Sequence, residues 1–137
     1  MNDLLDRFVA AHRERVQSES GALLSWVPEG DYLSVFFCDE PSYADSVDDF
    51  LTAYRSLETQ DLIGCKIKGL SCLAMDLQHQ IAVVDGDVEL RLVLQSAMDR
   101  SSEAESSVIR RWYYDLEQRA VALHLRVPRG AFERRAG

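Results

Sequence analysis

Between Ala22 and Leu70 the chain repeats every two residues, and this stretch constrains the fold more than any other. Alternation of that kind sends successive side chains to opposite faces of a strand. Ala22–Val27 is rich in large apolar and aromatic residues. Pro28-Glu29-Gly30-Asp31 then supplies a turn, because proline fixes φ and glycine accepts a positive one. Tyr32–Cys38 sets Leu33, Val35 and Phe37 on one face against Tyr32, Ser34 and Phe36 on the other. With few polar positions on either side, it reads as a central strand covered on both faces. Residues 22–27 and 32–38 therefore make a hairpin. Asp39-Glu40-Pro41-Ser42 stops the sheet, since proline cannot donate to a ladder. Over 43–56 a helix from the Asp45–Asp49 region competes with a strand at 50–56; Phe50, Thr52 and Tyr54 favour the strand. A polar link, Leu57–Asp61, leads into Leu62–Gly69, where Ile63, Cys65 and Ile67 alternate with Lys66 and Lys68. That pair is a second, half-buried hairpin, with lysines facing water or guarding an edge.

The flanks change period. Leu4, Leu5, Phe8, Val9, His12 and Val16 mark one face of an amphipathic helix over 3–17. Leu70, Leu73, Ala74 and Leu77 predict a short helix over 70–78, and Ile81–Val84 a strand. Asp85-Gly86-Asp87 reads as a turn. Residues 88–98 fit both periods, and Ala97 and Met98 tip the reading toward helix. The serine-rich 99–107 reads as a loop. Val108–Tyr114 and Arg119–Val127 look like a final hairpin, with a helix over 103–118 as its rival. Pro128 closes that arm. The expectation is one α+β domain over 1–128: an antiparallel meander with an N-terminal helix and one or two short helices on one side. Residues 129–137 are expected to be a flexible basic tail.

Charge and length narrow the function classes. The 137 residues suit one domain. No apolar run approaches the roughly 20 residues of a membrane span. The acidic start lacks the basic-then-apolar order of a signal peptide. Cys38, Cys65 and Cys72 form no C-x-x-C pair, and their apolar neighbourhoods fit free thiols in a reducing cytoplasm. A net charge of −8 opposes nucleic acid and anionic membrane alike. The charge is uneven, with −12 over residues 1–108 and +4 over 109–137. The basic end can be a binding segment or can lie against the acidic body.

Few residues suggest chemistry. Asp39, Glu40, Asp45, Asp48 and Asp49 cluster, but no glycine lies among them for the tight bend of a hard-cation loop, so a solvated loop is the better reading. His12, His79 and His124 stand alone, without zinc spacing to one another or to a cysteine. There is no G-x-S-x-G and no phosphate-binding glycine loop; Gly64 and Gly69 read as packing glycines in a strand. No catalytic residue, cofactor or metal ligand is assigned. The most suggestive group is Arg110, Arg111, Trp112, Tyr113 and Tyr114. Arginine beside aromatics fits a protein interface and, less well, a single-stranded nucleic acid. It equally fits a strand whose aromatics fill the core.

One resemblance follows from the order Gly30-Asp31-Tyr32-Leu33-Ser34-Val35-Phe36-Phe37, an acidic loop, Asp49–Tyr54, and Asp61-Leu62-Ile63-Gly64-Cys65-Lys66-Ile67. Residues 22–70 resemble a small β-meander family of uncharacterised function, in which an acidic residue precedes an alternating strand and a later strand carries Ile/Val-Gly-x-x-Ile. The resemblance implies a fold segment and brings no reaction with it. The leading expectation is a non-enzymatic binding or regulatory module, acting through a protein partner or self-association. Its rivals are a small enzyme whose site is assembled only in the fold, and a weak nucleic-acid binder using the basic C-terminal third.

Overall fold

The computed structural model describes residues 14–17, 21–78 and 87–132. Six strands form one antiparallel sheet: β1 (Glu14–Gln17), β2 (Leu23–Val27), β3 (Tyr32–Phe36), β4 (Ser42–Ser46), β5 (Leu51–Ser56) and β6 (Leu62–Lys68). Their order is β1-β2-β3-β6-β5-β4. Two meanders of consecutive strands are thus joined where β3 pairs with β6, Phe36 opposite Gly64 and Tyr32 opposite Lys68. After the sheet come α1 (Leu70–Asp76), β7 (Val88–Glu89), α2 (Leu90–Arg100), α3 (Ser107–Ala122) and β8 (Arg126–Val127), with β7 and β8 forming a small separate ladder. The α+β expectation is what the chain adopts.

One set of alternating side chains makes the core. Trp26, Leu33, Ile67 and Leu51 form one buried row across the sheet, and Leu24, Val35, Cys65 and Ala53 the next. Leu90, Val93, Leu94 and Ala97 of α2 and Tyr113, Leu116 and Ala120 of α3 belong to the same apolar cluster. The helices therefore cover this face. Burying a large aliphatic side chain here contributes about 1.5–3 kcal/mol before entropy is counted.

Two carboxylates bind the layers together. Asp31 sits in the left-handed region at φ 56°. Its carboxylate accepts from Ser71 N (2.8 Å) and Ser71 Oγ (2.7 Å), and its carbonyl from Gly69 N and Leu70 N. The β2–β3 turn thereby caps the unsatisfied amides that open α1. Asp48 is 6% exposed. Its Oδ1 accepts from Phe50 N (2.9 Å) and Leu51 N (2.8 Å), and its Oδ2 from Ser101 Oγ and Tyr113 Oη (2.7 Å each). One side chain thus ties the β4–β5 loop to the end of α2 and the middle of α3.

Several expectations are corrected. The helix over 3–17 does not extend to its end, because residues 14–17 are a strand paired with β2; residues 3–13 lie outside the described set. The acidic stretch 39–49 is not all loop, since 42–46 is an edge strand whose polar side chains give no hydrophobic alternation. The final hairpin over 108–127 is replaced by its rival, here a helix over 107–122. Ile109, Tyr113, Leu116, Ala120 and Leu123 recur every three to four residues and lie on its core side. The ambiguous 88–98 divides into two strand residues and then helix. Residues 129–132 form a 3-10 turn with Ala131 buried, so the expected loose tail does not start at 129. The strand at Ile81–Val84 lies outside the described residues.

Candidate functional site

The sheet's second face carries the clearest surface feature. No described helix packs on it, and register places its side chains in three rows. Leu23, Phe36, Gly64, Tyr54 and Ala44 form the first; Ser25, Ser34, Lys66, Thr52 and Ser46 the second; Val27, Tyr32 and Lys68 the third. The first row is built around Gly64. A Cβ there would lie 2.3 Å from the Val35 carbonyl oxygen and 3.2 Å from Phe36. With no side chain between them, the Phe36 and Tyr54 rings stack over the glycine at 4.8 Å and 18°. Next to them the Lys66 ammonium lies 4.2 Å above the Tyr32 ring, a cation–π contact. Across β2–β6 this face holds two lysines and no carboxylate, in a chain of net charge −8.

At the end of the first row an open groove of about 620 Å³ is lined by Leu23, Phe36, Cys38, Asp39, Glu40 and Pro41. The Cys38 thiol donates to Glu40 Oε2 at 3.0 Å. That hydrogen bond, then burial and the nearby negative charge, push the thiol up from its ordinary value. This is the opposite of the environment that makes a cysteine nucleophilic. Burial pushes Cys65 up to about 12, and all three cysteines are free.

The run Arg110–Tyr114 does not form one surface, because helical geometry distributes it. Tyr113 points into the core, fully buried, where burial and the Asp48 hydrogen bond push its phenol well up. Trp112 is half-buried under Arg55, whose guanidinium carbon is 4.5 Å from the ring centre. Arg55 Nε lies 3.5 Å from Asp45 Oδ2, an ion pair without hydrogen-bond geometry. Arg55 and Trp112, with Val108, Arg111 and Asp115, line a hollow of about 290 Å³. Arg110 turns back to donate to the Ala104 carbonyl at 2.7 Å. Tyr114, 49% exposed, faces a groove of about 550 Å³ shared with Arg91, Gln95, Glu117 and Val121. There burial pushes the Glu117 carboxyl up against the opposing pull of Arg91.

The remaining candidates separate in the same way. Asp48 is wholly engaged inside the fold, Asp45 pairs with Arg55, and Glu40 faces Cys38 and Ser56. Among the described residues no group of histidine, cysteine and carboxylates could hold a metal ion. His124 lies at the end of α3 at φ 51°, beside Glu89, Arg91 and Arg126 in a hollow of only about 90 Å³. His12 and His79 are outside the described residues. No described helix is long and apolar enough to cross a membrane.

The sequence points to an apolar sheet face or edge as the contact surface without saying which residues share it. The signal for the open face was the alternation of Tyr32, Ser34 and Phe36 with Lys66 and Lys68, which only strand register brings into rows. Comparison with protein-family models, with curated proteins and with solved structures finds no match to this chain.

Proposed function

We propose that this chain is a non-enzymatic protein-binding module, and that the sheet face on which no described helix packs is its recognition surface. The observation that carries the reading is the composition of that face. Three aromatic rings, two aliphatic side chains and two lysines stand together with no carboxylate among them. Leu23 is exposed at 37% and Val27, Tyr32, Phe36 and Tyr54 are half-buried, and apolar and aromatic groups grouped beside charge at a surface are the usual mark of a protein contact. The face's local positive charge within an acidic chain selects a partner surface bearing carboxylates between apolar groups. Residues 22–70 then serve as the platform, a meander like that of the family they resemble. Three free cysteines support a reducing, cytoplasmic setting.

The test is titration of a synthetic peptide alternating glutamate and leucine into the isotope-labelled full chain. Amide shifts confined to β2, β3, β5 and β6, and weakened by Lys66→Glu with Lys68→Glu, are the expected result. Shifts confined to the α2–α3 side, or none at all, overturn the reading. Preferential shifts with a single-stranded oligonucleotide, falling steeply with salt, assign the face to nucleic acid instead.

A further inference from the structure

We propose that the chain forms a two-fold dimer by pairing β4 with β4 of a second copy, in the register centred on Ala44. This goes beyond the open-face reading and does not depend on it.

Among the described strands β4 is the terminal one of the sheet and is hydrogen-bonded to β5 alone. Which of its backbone groups remain outward is fixed by the bonds that flank it. Leu57 N donates to the Pro41 carbonyl at 2.9 Å, and Val47 N to the Leu51 carbonyl at 3.0 Å. Tyr43 opposite Arg55 and Asp45 opposite Ala53 continue that series, so the odd-numbered residues face β5. The N–H and C=O groups of Ser42, Ala44 and Ser46 therefore point away from the sheet. Such an unpaired row is a template for another strand unless something blocks it. β4 contains no lysine, no proline and no bulge, its one charge, Asp45, is paired with Arg55, and the sheet's irregularity lies at Tyr54/Arg55.

An isologous interface must be complementary to itself. Only residues with outward backbone groups can form hydrogen-bonded pairs, which leaves few antiparallel registers. Pairing Ser42 with the partner's Ser46, and Ala44 with the partner's Ala44, makes six hydrogen bonds. A register centred on Tyr43 makes four, and one centred on Asp45 makes four while setting two carboxylates face to face, which is destabilising. In the Ala44 register each Tyr43 lies opposite the partner's Asp45, and no like charges meet. On the open-face side only Ser42, Ala44 and Ser46 approach the axis, and these are small. Tyr43, 37% exposed, is the large apolar surface nearest the axis on the helix side. One sheet of twelve strands results, with its two recognition faces side by side.

Sedimentation velocity on the full chain at rising concentration provides the test, with Ala44→Pro as the principal variant. Because the Ala44 N–H points outward, proline there removes no bond to β5 and is tolerated in an edge strand. It removes two of the six bonds between copies and places two pyrrolidine rings at the axis. A dimer in the parent and a dissociation constant raised at least about tenfold in the variant, at unchanged melting temperature, is the expected result. A parent that stays monomeric at high concentration overturns the proposal. So does a dimer that Ala44→Pro leaves intact, which would place the contact elsewhere. If the proline lowers the melting temperature, Tyr43→Asp provides the second readout. It sets carboxylates against the partner's Asp45 in this register, and a dimer that survives it overturns the pairing. The peptide titration of the monomeric variant reports separately on the sheet face.

Discussion

Replacing Tyr113 by phenylalanine removes one atom from the group around Asp48, whose carboxylate accepts four hydrogen bonds. The ring keeps its place in the apolar cluster shared by the sheet, α2 and α3, so no cavity of consequence is created. What is lost is the donor to Asp48 Oδ2 at 2.7 Å, leaving that oxygen with Ser101 Oγ alone. A hydrogen bond to a charged group contributes about 1.5–3 kcal/mol, and burial on both sides argues for the upper half of that range. For 137 residues each kcal/mol corresponds to about 3–4 °C in melting temperature. Tyr113→Phe is thus expected to lower the melting temperature by about 7–12 °C. Asp48→Ala goes further, because it also strips Phe50 N and Leu51 N of their acceptor, and a loss of about 4–6 kcal/mol is expected. Urea titration followed by far-ultraviolet circular dichroism gives both numbers, provided the denaturant slope is unchanged. Ser101→Ala and Tyr113→Phe share one oxygen, so their effects should not add. If Tyr113→Phe costs less than about 0.5 kcal/mol, or the two substitutions add cleanly, Asp48 is not the tie described above.

The phenol also gives the fold an alkaline limit. Its value is raised by burial, so the stability it contributes is complete below the unfolded tyrosine value of about 10 and declines as pH rises beyond it. Stability curves measured between neutral pH and about pH 11 should slope downward for the parent and less steeply for Tyr113→Phe; equal slopes contradict the assignment. Gly64→Ala should destabilise by more than about 3 kcal/mol, since the added carbon meets Val35 backbone on one side and Phe36 on the other, as thermal melting can show. In a Cys72→Ser background, Glu40→Gln removes the carboxylate that holds the Cys38 thiol up, and should speed its alkylation at mildly alkaline pH. Cys65 should stay unmodified until the chain unfolds, which mass spectrometry reads directly.

The central strands were legible because their alternation is dictated by burial. Leu33 and Val35, Cys65 and Ile67 must face one core, and period two is the only way a strand can do it. What was illegible depended on partners far away in sequence. β4 is polar because one of its edges is open and only one neighbour shields it, so Ser42–Ser46 looks like loop. In sequence, helix α3 looks like a hairpin because Val121, Leu123, Leu125 and Val127 alternate across its end. The stop itself lacks the usual glycine. His124 takes the left-handed position, with its N–H bonded to the Val121 carbonyl and Leu125 N to the Ala120 carbonyl. The Arg110–Tyr114 cluster was conspicuous in sequence for the same reason that it is divided in space. Five adjacent residues span more than one full turn, so the helix sends them to different sides.

The junction of β3 with β6 has a consequence for how the chain reaches this arrangement. β2–β3 and β4–β5–β6 are sequences of local hairpins, each closing a short loop. The β3–β6 ladder instead joins the two meanders across the whole of β4 and β5, and it is there that Gly64 admits Phe36 and Tyr54. Loop-closure entropy rises with the length enclosed, and non-local pairing is the slow part of forming a sheet. The glycine therefore sits on the seam between two halves that can each begin to form alone. Any side chain there obstructs their joining as well as the finished product.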